Sequence, residues 1–215
     1  MTPGSRTSGK RRGAQVWVAG DPWQLPLPPP FVTPAPAPEP LTVFTIGHSN
    51  VPADEFLGLL QLHHAATVLD VRSAPYSRYV PHFNRESLQA LLVTHAVSYE
   101  WAGDTLGGRP DDPACYHGGA LAGKLDHATV RQRPWYQRGI HQLMATALHQ
   151  RTVLLCSEED PRRCHRHHLV ARSLIDGGVR VLHIRHSGEL EDAETLDRAG
   201  QDGGPQQLSL GGIAA

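Results

Sequence analysis

Between residues 42 and 184, short apolar runs rich in β-branched residues alternate with longer segments whose apolar side chains recur every three or four positions. The first run is Thr42 to Ile46, and after Pro52 the residues Phe56, Leu57, Leu59, Leu60 and His63 follow at helical spacing. Ala66 to Val71 is the second run. Asn84 is expected to cap a helix carrying Leu88, Leu91, Leu92 and His95, and Val97 to Trp101 is expected as a third strand. A long loop, Ala102 to Pro134, should lead to a helix over about Tyr136 to His149, the strand Thr152 to Cys156 and a helix over Cys164 to Asp176. A Gly177-Gly178 stop and a fifth strand, Val179 to Ile184, complete the pattern. Strands joined by crossover helices pair in parallel and are covered on both faces. The pattern therefore predicts a three-layer α/β/α domain around a mostly parallel sheet of about five strands.

At 215 residues the chain suffices for one such domain with tails. Residues 1–40 are basic and then proline-dense, a composition that supplies neither helix nor central strand, and are expected to be a disordered tail. The domain is expected over 41–190, and 191–215, rich in Gly, Gln, Asp and Ala, as a flexible tail. Twenty Lys and Arg against 21 Asp and Glu leave a formal charge of −1, so no chain-wide positive field exists to hold nucleic acid non-specifically. Anion binding, if the chain does it, must be local. Cys115, Cys156 and Cys164 cannot all pair within one chain and do not form a secreted disulfide pattern, which points to a reducing cytoplasm. No run reaches the roughly 20 apolar residues of a membrane span, and Val16 to Ala19 is too short for a secretory signal.

Parallel sheets bind ligands beyond the carboxyl ends of their strands, where the βα loops gather. The polar segments of this sequence fall at those ends: GHSN (47–50), Asp70-Val71-Arg72-Ser73, LGGRP (106–110), CSEED (156–160) and His186-Ser187-Gly188-Glu189. In GHSN, His48 offers proton transfer, and Ser49 and Asn50 offer hydrogen bonds or an ordinary helix cap. Asp70 and Arg72 alternate with apolar neighbours and should share one face, with Asp70 orienting Arg72. Arg72, Arg78 and Arg109 suit two-pronged recognition of phosphate or carboxylate, and Gly107 and Gly108 let backbone pass close to a ligand.

Three readings of CSEEDPRRCHR compete. Cys156 to Arg162 has the C-x5-R spacing of the tyrosine-phosphatase cradle, and DVR also occurs in rhodanese domains; yet Glu158, Glu159 and Asp160 place carboxylates where an anion would sit. Cys156, Cys164 and His165 could bind zinc with a further ligand such as His48, but the seven-residue gap and the divergence of adjacent side chains on a helix argue against it. The reading adopted is that both cysteines pack, with Glu158 and Arg166 as the working polar groups and no metal or cofactor. A helix N-terminus and neighbouring cations should favour thiolate at Cys164, while Cys156, beside Glu158 and Glu159, should stay a thiol.

TIGHSN, the stretch from Leu69 to Asn84, LGGRP and Cys156 to Arg166 in this order resemble the motif series of the bacterial domain-of-unknown-function 488 family, over about Thr42 to Ser187. The resemblance implies site positions and no settled activity. The expected function is an enzyme acting on an anionic, phosphate-bearing substrate, either a nucleotide or a nucleic-acid end. His48, Glu158, Cys164 and Cys156 are its reactive candidates, and Ser49, Asn50, Asp70, Arg72, Arg78, Asn84, Gly107, Gly108, Arg109, His165 and Arg166 its binding candidates. The rival is a binding or sensor module that uses the same arginines without turnover. The partners expected are a small anion, a nucleotide or a specific nucleic acid, and no membrane.

Overall fold

A computed structural model describes residues 40–119, 121 and 123–202; the tail expected over 1–40 lies outside them but for residue 40, and of the tail expected over 191–215 the part beyond 202 lies outside them. The chain runs β1 (Thr42–Gly47), α1 (Ala53–Leu62), β2 (Thr67–Asp70), α2 (Arg85–Thr94), β3 (Ser98–Trp101), α3 (Gly103–Leu106), α4 (His127–Arg131), α5 (Pro134–His149) and β4 (Thr152–Cys156). A π-helical segment, Arg166–Ala171, then continues into α6 (Arg172–Asp176), followed by β5 (Arg180–Ile184), β6 (Leu190–Asp192) and α7 (Ala193–Asp202). The sheet order is β3-β2-β4-β1-β5-β6, parallel except for the antiparallel edge strand β6.

The layers follow from alternation along the strands. Phe44, Ile46, Val68, Val153, Leu155, Leu182 and Ile184 face one side and bury against Phe56 and Leu60 of α1 and Leu88 and Leu92 of α2. Val43, Leu69, Leu154, Cys156 and Val181 face the other and bury against Tyr136, Ile140 and Leu143 of α5 and Leu169, Val170 and Leu174. A side-chain period of two divides each strand between the two layers.

The sheet of about five strands expected from the sequence is present with one more at its edge: the sequence after Glu189 lacks an apolar run, but backbone pairing of β6 with β5 needs none. Ordered structure accordingly continues past residue 190, and Ala193 and Leu196 of α7 are buried. The loop from Ala102 to Pro134 contains α3, α4 and a 3₁₀ turn at Pro113–Cys115, held by Asp126 and Asp112 as side-chain caps. Cys164 does not open the helix: its backbone is extended (φ −127°, ψ 140°) and winding starts at His165.

β2 and β4 are adjacent, yet α2 packs on one face of the sheet and the helix after β4 on the other. Loops that leave neighbouring strands in opposite directions open a crevice between their carboxyl ends. Among the described residues no helix is long and apolar enough to cross a membrane.

Candidate functional site

Beneath the carboxyl edge lie two closed polar clusters. In the first, Arg72 forks onto Asp70, with Nε to Oδ1 at 2.8 Å and Nη2 to Oδ2 at 2.6 Å, and Nη2 also donates to the carbonyl of Phe83. Tyr99 donates its hydroxyl to Asp70 Oδ2, and burial together with that carboxylate pushes the phenol pKa up. Arg72 Nη1 lies 3.0 Å from His48 Nε2, and His48 Nδ1 lies 2.7 Å from the carbonyl of Ser49. Since a guanidinium only donates, Nε2 must accept and Nδ1 carry the proton. Burial, then the Arg72 charge, lowers the His48 pKa to about 4. His48 stacks on Phe83 at 4.2 Å and is a neutral wedge, with its one lone pair already engaged.

The second cluster surrounds Arg166, which is fully buried. It donates from Nε to Thr45 Oγ1, and from Nη1 and Nη2 to the carbonyls of Glu158 and Glu159. Thr45 Oγ1 lies 2.7 Å from His183 Nδ1, His183 Nε2 3.0 Å from His167 Nδ1, and His167 Nε2 3.1 Å from Asp197 Oδ1. Arg166 can only donate and Asp197 can only accept, so the intervening protons take one direction: threonine hydroxyl to His183, His183 to His167, His167 to Asp197. Burial, with the Arg166 charge, holds His183 far below the usual imidazole range. His48 and Arg166, expected at the ligand, are thus internal supports.

Above them is an open cleft of about 390 Å³ lined by Arg72, Ser73, Ala74, Gly108, Arg109, Cys156, Ser157, Glu158, Arg163, Cys164 and His165. Three loops converge there, from β2, β3 and β4. Gly47 allows the convergence: the chain after Cys156 passes so close that a Cβ at 47 would overlap the Glu158 carbonyl. His48 N–H and Ser49 N–H then donate to Cys156 and Ser157 and tie the two strand ends together. Gly108 acts likewise, since a Cβ there would meet the His165 ring at 2.7 Å. Arg109 N–H donates to Ser73 Oγ, pinning the LGGRP loop to the end of β2.

On the cleft floor, His165 Nδ1 is 3.7 Å from Cys156 Sγ and 3.9 Å from Cys164 Sγ, while Nε2 meets the Val71 carbonyl at 3.2 Å. A carbonyl only accepts, so Nε2 carries a proton, and Nδ1 is the ring nitrogen left to face the sulfurs. The Arg166 N–H points at Cys164 Sγ at 3.5 Å. The hydrogen bond from Cys156 lowers the Cys164 pKa strongly, aided by His165 and Arg166 against the effect of burial. The same bond, and then burial, raises that of Cys156. These are the directions expected from the sequence, although the principal cause is the other sulfur.

Arg109 and Arg163 are exposed at the rim, and among the described residues no carboxylate pairs with either; the Glu158 carboxylate likewise pairs with no cation. Other candidates stand outside the cleft. Arg78 is exposed over the Tyr79 ring, and Asn84 accepts the Ser77 N–H in place of capping α2. Ser49 bonds Asn50, neither caps α1, and Gly107 packs on Ser73 and Gly103. Arg162 forks onto Asp160 at the surface, so the Cys156-to-Arg162 spacing does not fold into a phosphate cradle. His186, Ser187 and Glu189 line a separate groove, where Arg185 is already paired with Glu159 and Glu191. Sequence reasoning missed the Thr45–His183–His167–Asp197 chain. Its signal was available, because Thr45 and His183 are polar residues inside apolar strands and are partners in parallel register.

A family model described as Domain of unknown function DUF488 matches residues 52–173, which include the loops of the cleft and leave out GHSN. No curated protein and no solved structure matches the chain.

Proposed function

The chain belongs to the DUF488 family, whose description names no reaction, and we propose its function from the site: an enzyme acting on an anionic, phosphate-bearing substrate, a nucleotide or nucleic-acid end. One observation carries this reading. Two guanidiniums without acidic partners among the described residues, Arg109 and Arg163, share a cleft with Glu158, a carboxylate that pairs with no cation among them, and with the Cys156–Cys164–His165 group. Guanidinium recognises phosphate with two parallel donors, and Arg109 stands on a loop pinned at Ser73, so its approach is set before the anion arrives. Glu158 is then the proton-transfer candidate, since His48 has no free lone pair. The net charge of −1 fits a local grip on one phosphate better than a duplex-wide surface. Free thiols at the floor fit a reducing cytoplasm.

The test is calorimetric titration of the full chain with inorganic phosphate and with nucleoside 5′-monophosphates, followed by an assay of phosphate release from the nucleotides and from 5′-phosphorylated oligonucleotides. Saturable binding that Glu158→Gln preserves while abolishing turnover supports the enzyme. Binding without turnover of any of these substrates makes the protein a binding module. No binding removes the phosphate reading.

A further inference from the structure

The three soft donors on the cleft floor have the arrangement of a metal site. Cys156 Sγ, Cys164 Sγ and His165 Nδ1 lie within 4.8 Å of one another. In a tetrahedral zinc site with Zn–S of ~2.3 Å and Zn–N of ~2.1 Å, the nitrogen and sulfur ligands stand roughly 3.6 Å apart. The two separations here are 3.7 and 3.9 Å. The orientation agrees as well. His165 Nε2 donates to the Val71 carbonyl, the outer contact by which metal-binding histidines fix their tautomer and aim the other nitrogen. The ring sits directly against the LGGRP loop, where a Cβ on residue 108 would meet it at 2.7 Å. The objections from sequence lose their force once the chain is folded. Cys164 sits in extended backbone outside the helix, so its side chain need not diverge from that of His165. The seven residues between the cysteines are absorbed by a 3₁₀ turn at Pro161–Arg163.

We propose that Cys156, Cys164 and His165 bind one zinc ion whose fourth position opens into the cleft. Two thiolates and an imidazole select zinc over the hard cations magnesium and calcium. Among the described residues no further His, Cys, Asp or Glu donor joins the group, and His48 cannot, because its Nε2 is held by Arg72. Three protein ligands and an open place characterise a zinc that acts on substrate, whereas a structural zinc is closed by a fourth. With Arg109, Arg163 and Glu158 around the same space, the site is that of a zinc-assisted hydrolase of phosphate esters. This rests on the phosphate reading above for its substrate, though not for its metal.

The experiment uses the full chain, free of any purification tag and stripped with a chelator, then titrated with zinc alone and separately with cobalt(II). One ion per chain is expected, with cobalt giving the near-ultraviolet thiolate charge-transfer band and intense visible bands of a tetrahedral site. Both signals should vanish in Cys164→Ser and His165→Gln and persist in Cys115→Ser, since Cys115 is buried, does not line the cleft and stands outside the donor group. Should a ligand variant fail to fold, protection of Cys156 and Cys164 from alkylation by zinc in the wild-type chain gives the same answer. A folded wild-type chain that takes up no ion, or binds cobalt without a thiolate band, overturns the site. Metal binding without phosphoester turnover keeps the site and removes the enzyme, while turnover unchanged by stripping and by Cys164→Ser keeps the enzyme and removes the zinc.

Discussion

The Asp70–Arg72–His48 cluster and the cleft directly above it draw on the same residue types, and they differ in what is left over. Below, the Arg72 fork closes on Asp70, the remaining carboxylate capacity is taken by Tyr99, and the His48 lone pair is taken by Arg72. Above, Arg109, Arg163 and Glu158 have no charged partner among the described residues, and His165 Nδ1 faces two sulfurs. A polar group that has spent its donors and acceptors internally can orient a neighbour but cannot recognise a ligand. The richest polar motif in the sequence therefore need not be the place where chemistry happens.

The sharpest way to break this contrast is to remove Arg72. Arg72→Met leaves the Asp70 carboxylate buried without its cation, which should cost about 3–5 kcal/mol of stability. Urea unfolding of the variant measures it, and a loss near zero would mean that the lower cluster is not closed as described.

Acid should act on the same cluster. An unfolded His48 takes a proton near pH 6.5, whereas the folded one resists until about 4, so between these values the unfolded chain binds more protons and stability falls as pH falls. The contribution, fully present above pH 6.5, amounts to about 3 kcal/mol lost by pH 4. His183 and His167, also lowered by burial, act in the same direction. Melting curves from pH 7 to 4 should therefore be less steep in pH for His48→Gln than for the wild-type chain. Equal slopes would show that His48 is solvated.

Above the floor, the variants should change binding and leave folding alone. Arg109→Lys keeps the charge and loses the two-pronged contact, so affinity for a nucleoside 5′-monophosphate should fall about tenfold, or about 1.4 kcal/mol, at unchanged melting temperature. Unchanged affinity would return Arg109 to the solvated surface. The smallest effect belongs to Arg162, whose pair with Asp160 is exposed and screened by solvent. Arg162→Ala should leave the affinity as it was. A loss as large as that of Arg109→Lys would revive the C-x5-R cradle.

How far the sequence could be read depended on the range of the interaction. Strands β1, β2, β4 and β5 were legible because each is a short apolar run, and a run buried on both faces needs nothing else. β6 was not, since Leu190–Asp192 is held by backbone pairing at an edge. Asn84 had the residue type of a cap and spends its side chain on Ser77, seven residues upstream, a choice made by the loop it closes. Ser73 and Arg163 reached the cleft from loops whose course no periodicity encodes.

The sequence by itself determined the layered α/β fold, the edge where the polar loops gather, and the pool of arginines, histidines and cysteines placed there. Those follow from periodicity and connection, which are local properties of the chain. Only the tertiary structure decided which of them were consumed. Arg166 and His48 turned inward because carbonyls and a guanidinium from other strands were waiting for them, and Cys156, Cys164 and His165 met because β4 and the segment after it return to the same strand end. Whether a donor is free depends on what lies within about 3 Å of it, and such neighbours come from parts of the chain far apart in sequence.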